Sequence, residues 1–150
     1  MNTSNRLENA VKKLYMAFTS GKLYPECCKQ CAVGTILDGS DTWKHLSDNH
    51  GSLKLNYVGQ VHQTLGRRFN GYTPLELLHI EQTFLKACGY ELPLHYLNPK
   101  PKDTPDKTRL FHGLCKTVNL LYRLDYGSDR VTLKKVKQLL KTTSLPLVKT

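Results

Sequence analysis

Apolar side chains recur along most of this chain with the 3.6-residue period of a helix, and no stretch of useful length alternates with the two-residue period of a strand. That pattern removes sheets and barrels and leaves helix packed on helix. The first stripe is Leu7, Ala10, Val11, Leu14, Tyr15 and Phe18, with Asn5 and Glu8 spaced as a capping box and Gly21 as a stop. A second helix is expected from Pro25, because proline suits the first helical position, through Cys27, Cys28, Cys31, Val33 and Ile36 to the Asp38-Gly39 turn. A short third helix, capped by Ser40 or Asp41, presents Trp43 and Leu46 and ends near His50-Gly51. The fourth carries Val58, Val61, His62, Leu65 and Phe69, again a stripe of helical period, and closes with Arg67-Arg68 before the Asn70-Gly71 turn.

Thr73-Pro74-Leu75-Glu76 is the clearest local signal: a threonine cap, proline in the first turn and glutamate three residues on form a full capping box. The helix it opens runs to Cys88, and Gly89 ends it. Pro93, Pro99 and Pro101, with Lys100 and Lys102 among them, cannot sustain a helix and read as an extended connection. Thr104-Pro105 opens a further helix to Asp125, whose stripe of Leu110, Phe111, Leu114, Cys115, Val118, Leu121 and Tyr122 is too apolar to be left in water. Thr132 caps a last one, with Leu133, Val136 and Leu140 inward. The expectation is an all-α, single compact domain of six or seven amphipathic helices. Residues 1–95 form its main body, 96–104 a Pro/Lys-rich connection, and 105–150 basic helices docked on the same core. Leu14, Phe18, Ile36, Trp43, Leu65, Leu77, Phe84, Leu114, Val118 and Leu121 should be mostly buried.

A chain of 150 residues can bury roughly two thirds of its unfolded surface without disulfides or metals. No run approaches the ~18 apolar residues of a membrane span, and the polar N-terminus lacks the apolar stretch of a signal peptide. A cytoplasmic location follows as an expectation, with Cys27, Cys28, Cys31, Cys88 and Cys115 reduced. The net charge of +10 is uneven: residues 101–150 carry 11 basic and 4 acidic side chains, residues 1–100 carry 11 and 8. Such an excess favours a polyanionic partner, nucleic acid or an acidic protein, through steering and counterion release. Candidate contacts are Lys134, Lys135, Lys137 and Lys141 on the last helix, and Arg67 and Arg68, which stand beside Phe69, Asn70 and Tyr72 as cations stand beside aromatics in single-strand sites. An ordinary capped helix end explains the two arginines equally well, and a solvated helix face is the default reading of the four lysines.

Glu26-Cys27-Cys28-Lys29-Gln30-Cys31 is the one dense cluster of reactive side chains. On a helix starting at Pro25 the three thiols would occupy the first two turns, where the dipole favours thiolates, and Cys27 and Cys31 would share a face. Three uses compete: buried core thiols, a redox pair, or a zinc or iron site completed by His45 or His50. A helical peroxidase pattern would need histidine where Gly34 stands, and a calcium loop from Asp38 would need glycine at Trp43 and glutamate at Asn49. Phosphate-loop, dinucleotide, nucleophile-elbow and zinc-protease motifs are absent, so the chain is read as a small non-enzymatic binding protein with a basic surface.

The runs Glu26-Cys27-Cys28-Lys29-Gln30-Cys31-Ala32-Val33-Gly34, Trp43-Lys44-His45-Leu46-Ser47-Asp48 and Gly66 through Leu78 carry a likeness to known sequences. Over residues 5–95 the chain resembles a small bacterial protein family whose members are sometimes named after one component of the Na+-translocating NADH:quinone reductase. The flavin, nicotinamide and ferredoxin-like domains of that component do not fit in 150 residues, so the resemblance implies a coherent natural fold and no particular activity.

Overall fold

The computed structural model of the protein describes residues 5–27, 29–47, 52–92 and 107–126. Among them the chain forms six helices and no strand: α1 Asn5–Thr19, α2 Ala32–Ile36, α3 Thr42–Leu46, α4 Tyr57–Thr64, α5 Pro74–Ala87 and α6 Lys107–Tyr126. The all-α expectation therefore holds. The extended connection from Pro93 and the helix expected from Thr132 lie outside the described residues.

Each long helix buries the stripe its sequence offers. Leu7, Ala10, Val11 and Leu14 of α1 turn inward, as do Leu77, Ile80, Phe84 and Leu85 of α5 and Leu114, Cys115, Val118 and Leu121 of α6. The α5 helix packs on α6, α2 and α4, while α1 lies against α6 and α2, so α5 is central and α6 closes the core. Close approach of α5 and α6 depends on Gly113, because a Cβ there would stand 2.5 Å from the Cys88 Sγ and 3.3 Å from the Phe84 ring. The Thr73–Glu76 capping box forms in both directions, with Glu76 N donating to Thr73 Oγ1 and Thr73 N donating to Glu76 Oε1.

A recurring C-terminal motif ends four of the helices. After α1, Lys22 N donates to Ala17 O and Gly21 N to Phe18 O; the same pair of hydrogen bonds closes α4 at Gly66 and α5 at Gly89. The fourth instance, after α2, uses Asp38 at a φ of 65° where the others use glycine.

One side chain ties the ends of the described chain together. The Arg6 Nε donates to Asp125 Oδ1 at 2.6 Å, its Nη1 to Glu76 Oε1 at 2.9 Å and to Gly71 O at 2.8 Å, and its guanidinium lies 4.5 Å over the Tyr72 ring. Burial works to lower the Arg6 pKa, but the bonds from Asp125 and Glu76 leave it raised.

Three expectations are corrected. The second helix does not begin at Pro25: Pro25-Glu26 and Lys29-Gln30 lie in turns, with Tyr24 N donating to Gln30 O and Cys31 N to Cys27 O, and α2 starts only at Ala32. Cys31 has extended backbone and its Sγ accepts from Gly34 N, so a thiol takes the capping place that serine or threonine usually fills. Leu65, expected in the core, is 61% exposed, with Val58 and Val61 exposed on the same helix, and α4 ends at Thr64, short of Arg67-Arg68. The third concerns degree: Phe18, expected to be mostly buried, is partly buried against the core and packed tilted on Phe111.

Candidate functional site

The thiol segment is held by the fold in an arrangement that differs from a helical cysteine face. Tyr90 Oη donates to Glu26 Oε2 at 2.8 Å and pins the turn before Cys27, which is half-buried. Cys31 is fully buried and its Sγ lies 3.6 Å from Oε1 of Glu81, itself 0% exposed on α5. Desolvation, and after it the Glu81 charge, push the Cys31 thiol well above its ordinary value, so it stays protonated and donates to the carboxylate. α2 is only five residues long and starts after Cys27 and Cys31, so these two thiols do not share a helical face. His45 is exposed on α3, 3.6 Å from Asp41. Among the described residues no three histidines, cysteines or carboxylates stand close enough to hold a metal ion; Cys28 and His50, two of the five expected ligands, lie outside those residues.

The cations expected to meet a polyanion are dispersed. Arg67 and Arg68 are exposed in the connection after α4, where Arg68 Nη1 donates to Gly71 O at 3.0 Å and lies 3.7 Å from Glu76. Their aromatic neighbours offer no stacking platform. Tyr72 is buried beneath Arg6, and Phe69 is half-buried edge-on to His62 at 5.5 Å. Asn70 and Gly71 both adopt positive φ, and Phe69 and Tyr72 exchange backbone hydrogen bonds across them, the geometry of a tight primed turn. Lys134, Lys135, Lys137 and Lys141 lie outside the described residues.

A different set of lysines converges instead. Between α1 and the chain that leads into and out of α2 runs a groove of about 460 Å³, lined by Lys12, Lys13, Lys22 and Lys29, with Met16 and Ala17 along its floor. Lys12 and Met16 are four apart on α1, opposite the buried Leu7–Leu14 stripe, while Lys22 and Lys29 come from the connection. Lys13 alone is neutralised: its Nζ lies 2.8 Å from Asp38 Oδ1 and donates to Ile36 O at 3.2 Å. Lys12, Lys22 and Lys29 are exposed and have no ion-pair partner among the described residues.

Asp38 forms the end wall. Its left-handed backbone costs on the order of 1 kcal/mol in a non-glycine residue, and its carboxylate is held by Lys13 and by Asn70 Nδ2 at 3.1 Å. The Lys13 bond holds Asp38 below the usual carboxylate value against a smaller opposing desolvation. Asn70, the other non-glycine residue at positive φ, donates in addition to Ile36 O at 2.7 Å, so Asn70 and Lys13 together satisfy the last carbonyl of α2 while both also hold Asp38. A second, polar cleft of about 410 Å³ begins on the far side of that contact, sharing Lys13 and Asp38 with the groove.

No protein-family model, curated protein or solved structure matches this chain. Among the described residues no helix is long and apolar enough to cross a membrane.

Proposed function

We propose that this chain is a non-enzymatic binding protein whose lysine-lined groove takes an acidic segment of another protein. The observation that carries this is the convergence of Lys12, Lys22 and Lys29, unneutralised, around a floor of Met16 and Ala17. Ammonium groups on flexible stems suit carboxylates spread along a chain, and the exposed Met16 thioether adapts to varied apolar partners. Nucleic acid fits less well, because the groove is lined by no aromatic ring and the aromatics beside Arg67 and Arg68 are turned inward. A cytoplasmic location belongs to the same proposal, supported by Cys27, Cys31, Cys88 and Cys115, which stand as free thiols.

Fluorescence anisotropy with a labelled Glu/Leu peptide and with a duplex DNA of similar charge tests this. The peptide should bind with an affinity that falls as salt rises, and Lys12→Glu, Lys22→Glu and Lys29→Glu combined should weaken it by about tenfold or more. Tighter binding of the duplex would replace the acidic segment with nucleic acid. Binding of the peptide unchanged in the triple variant would remove the groove as the site.

A further inference from the structure

Helix α4 is mounted with its apolar side outward. Beside the edge-on contact of His62 with Phe69, it is anchored by backbone and amide hydrogen bonds: Asn56 N donates to Leu46 O at 3.0 Å, Asn56 Nδ2 to His45 O at 3.1 Å, and Gln63 Oε1 accepts from Leu75 N at 2.9 Å. At the closest point Gly59 presses on α3, and a Cβ on it would sit 2.4 Å from Leu46 O. These contacts fix the rotation of the helix, so the exposure of Tyr57, Val58, Val61 and Leu65 is imposed by the fold and is not slack packing. On that outer side Tyr57, Val61 and Leu65, four residues apart, rise as a ridge beside Gln60 and Thr64 and border a shallow groove of about 260 Å³.

From Leu55 to Gly66 the sequence holds no Lys, Arg, Asp or Glu, whereas Lys54 precedes this stretch and Arg67 and Arg68 follow it, all three exposed. We infer that the α4 face is a docking site for an amphipathic helix of a partner protein, with an apolar side that fills the groove and carboxylates at both ends that meet Lys54 and Arg67. Charge decides the occupant: a second copy would bring the same cations at both ends against these in either helix orientation, at a repulsive cost. The concave groove, with Gln60 and Thr64 inside it, suits an inserted side chain better than a flat lipid surface. The site is independent of the lysine groove, since α4 packs on α3 and α5 while the groove is built on α1 and the α2 connections.

The test uses two synthetic helical peptides with the same leucine face, one with glutamates at both ends and one with lysines there, titrated into the intact protein. The glutamate peptide should bind at least about tenfold more tightly than the lysine peptide, and Val61→Ser with Leu65→Ser, or Arg67→Glu alone, should each weaken it by about tenfold. The Lys12, Lys22 and Lys29 reversal should leave this affinity unchanged, which separates failure here from failure of the groove. Equal binding of the two peptides, no binding, or insensitivity to both sets of variants would overturn the inference. So would sedimentation showing a dimer that Leu65→Ser dissolves, or flotation with phosphatidylserine vesicles that the same change abolishes, because each names a different occupant.

Discussion

Helices α4 and α6 carry apolar side chains at the same spacing, yet α6 hides Leu114, Val118 and Leu121 completely whereas α4 leaves Val58, Val61 and Leu65 in solvent. Both face a neighbour across a glycine. For α6 the glycine lies within the apolar stripe, so close approach to α5 draws Leu114 and Cys115 in with it. For α4 the glycine lies on the other side, between Asn56 and Gln63, and close approach to α3 turns the valines out. A helical period announces a helix with two unlike sides. Which side is buried depends on what the smallest residue is pressed against.

That contrast can be broken by measurement, most forcefully in the core. Leu114→Ala should cost about 2–5 kcal/mol in denaturant unfolding, the range for a core leucine that leaves a cavity; a value near zero would mean that α6 is no part of the core. Next comes Gly59→Ala. Alanine gains about 1 kcal/mol in helix propensity, so a net loss of about 1–2 kcal/mol would show the collision with Leu46 O prevailing. Net stabilisation would show that α4 is free to move away from α3.

The α5–α6 seam should also respond to pH. Burial pushes the Cys88 thiol up to about 12, above the ~8.5 of an unfolded cysteine. The folded state therefore keeps a proton that the unfolded state loses. Its contribution is whole below about pH 8.5 and falls by roughly 1.4 kcal/mol per unit between there and about pH 12. Replacing Cys88 with alanine should remove its share of that slope and leave the share of the buried Cys31 thiol, and an unchanged slope would locate the titration elsewhere. The smallest effect is expected for Leu65→Ala, under about 0.5 kcal/mol, because the side chain is already in water. A loss comparable to that at Leu114 would abolish the distinction between the two helices.

Where signals are local the sequence is legible. The Thr73–Glu76 box, the α1 stripe with its Gly21 stop and the apolar run of α6 each report within a few residues on the helix they belong to. The start of α2 escapes such a reading because proline at a first turn is a familiar signal and a cysteine cap is not; Cys31 and Gly34, three apart, carry the cap in plain view. Glu81 escapes it too, although it falls among Leu77, Ile80, Phe84 and Leu85, and a charge within an apolar stripe announces a buried partner. The lysine groove is not legible at all: Lys12 stands on α1, Lys22 follows the end of that helix and Lys29 lies in a turn before α2, and only the tertiary fold brings the three to one groove.

The Arg6 clamp has a consequence in time. Its carboxylate at Asp125 lies 119 residues further along the chain. During synthesis at about 5–20 residues per second, the first helix must wait roughly 6–24 seconds for the partner that completes its packing. Through that interval the α1 surface destined for α6 is bare, and Arg6 is a cation without Asp125. Of the six described helices α1 is made first and is thus among the last to be finished, and of the six it is the one a chaperone would have longest to hold.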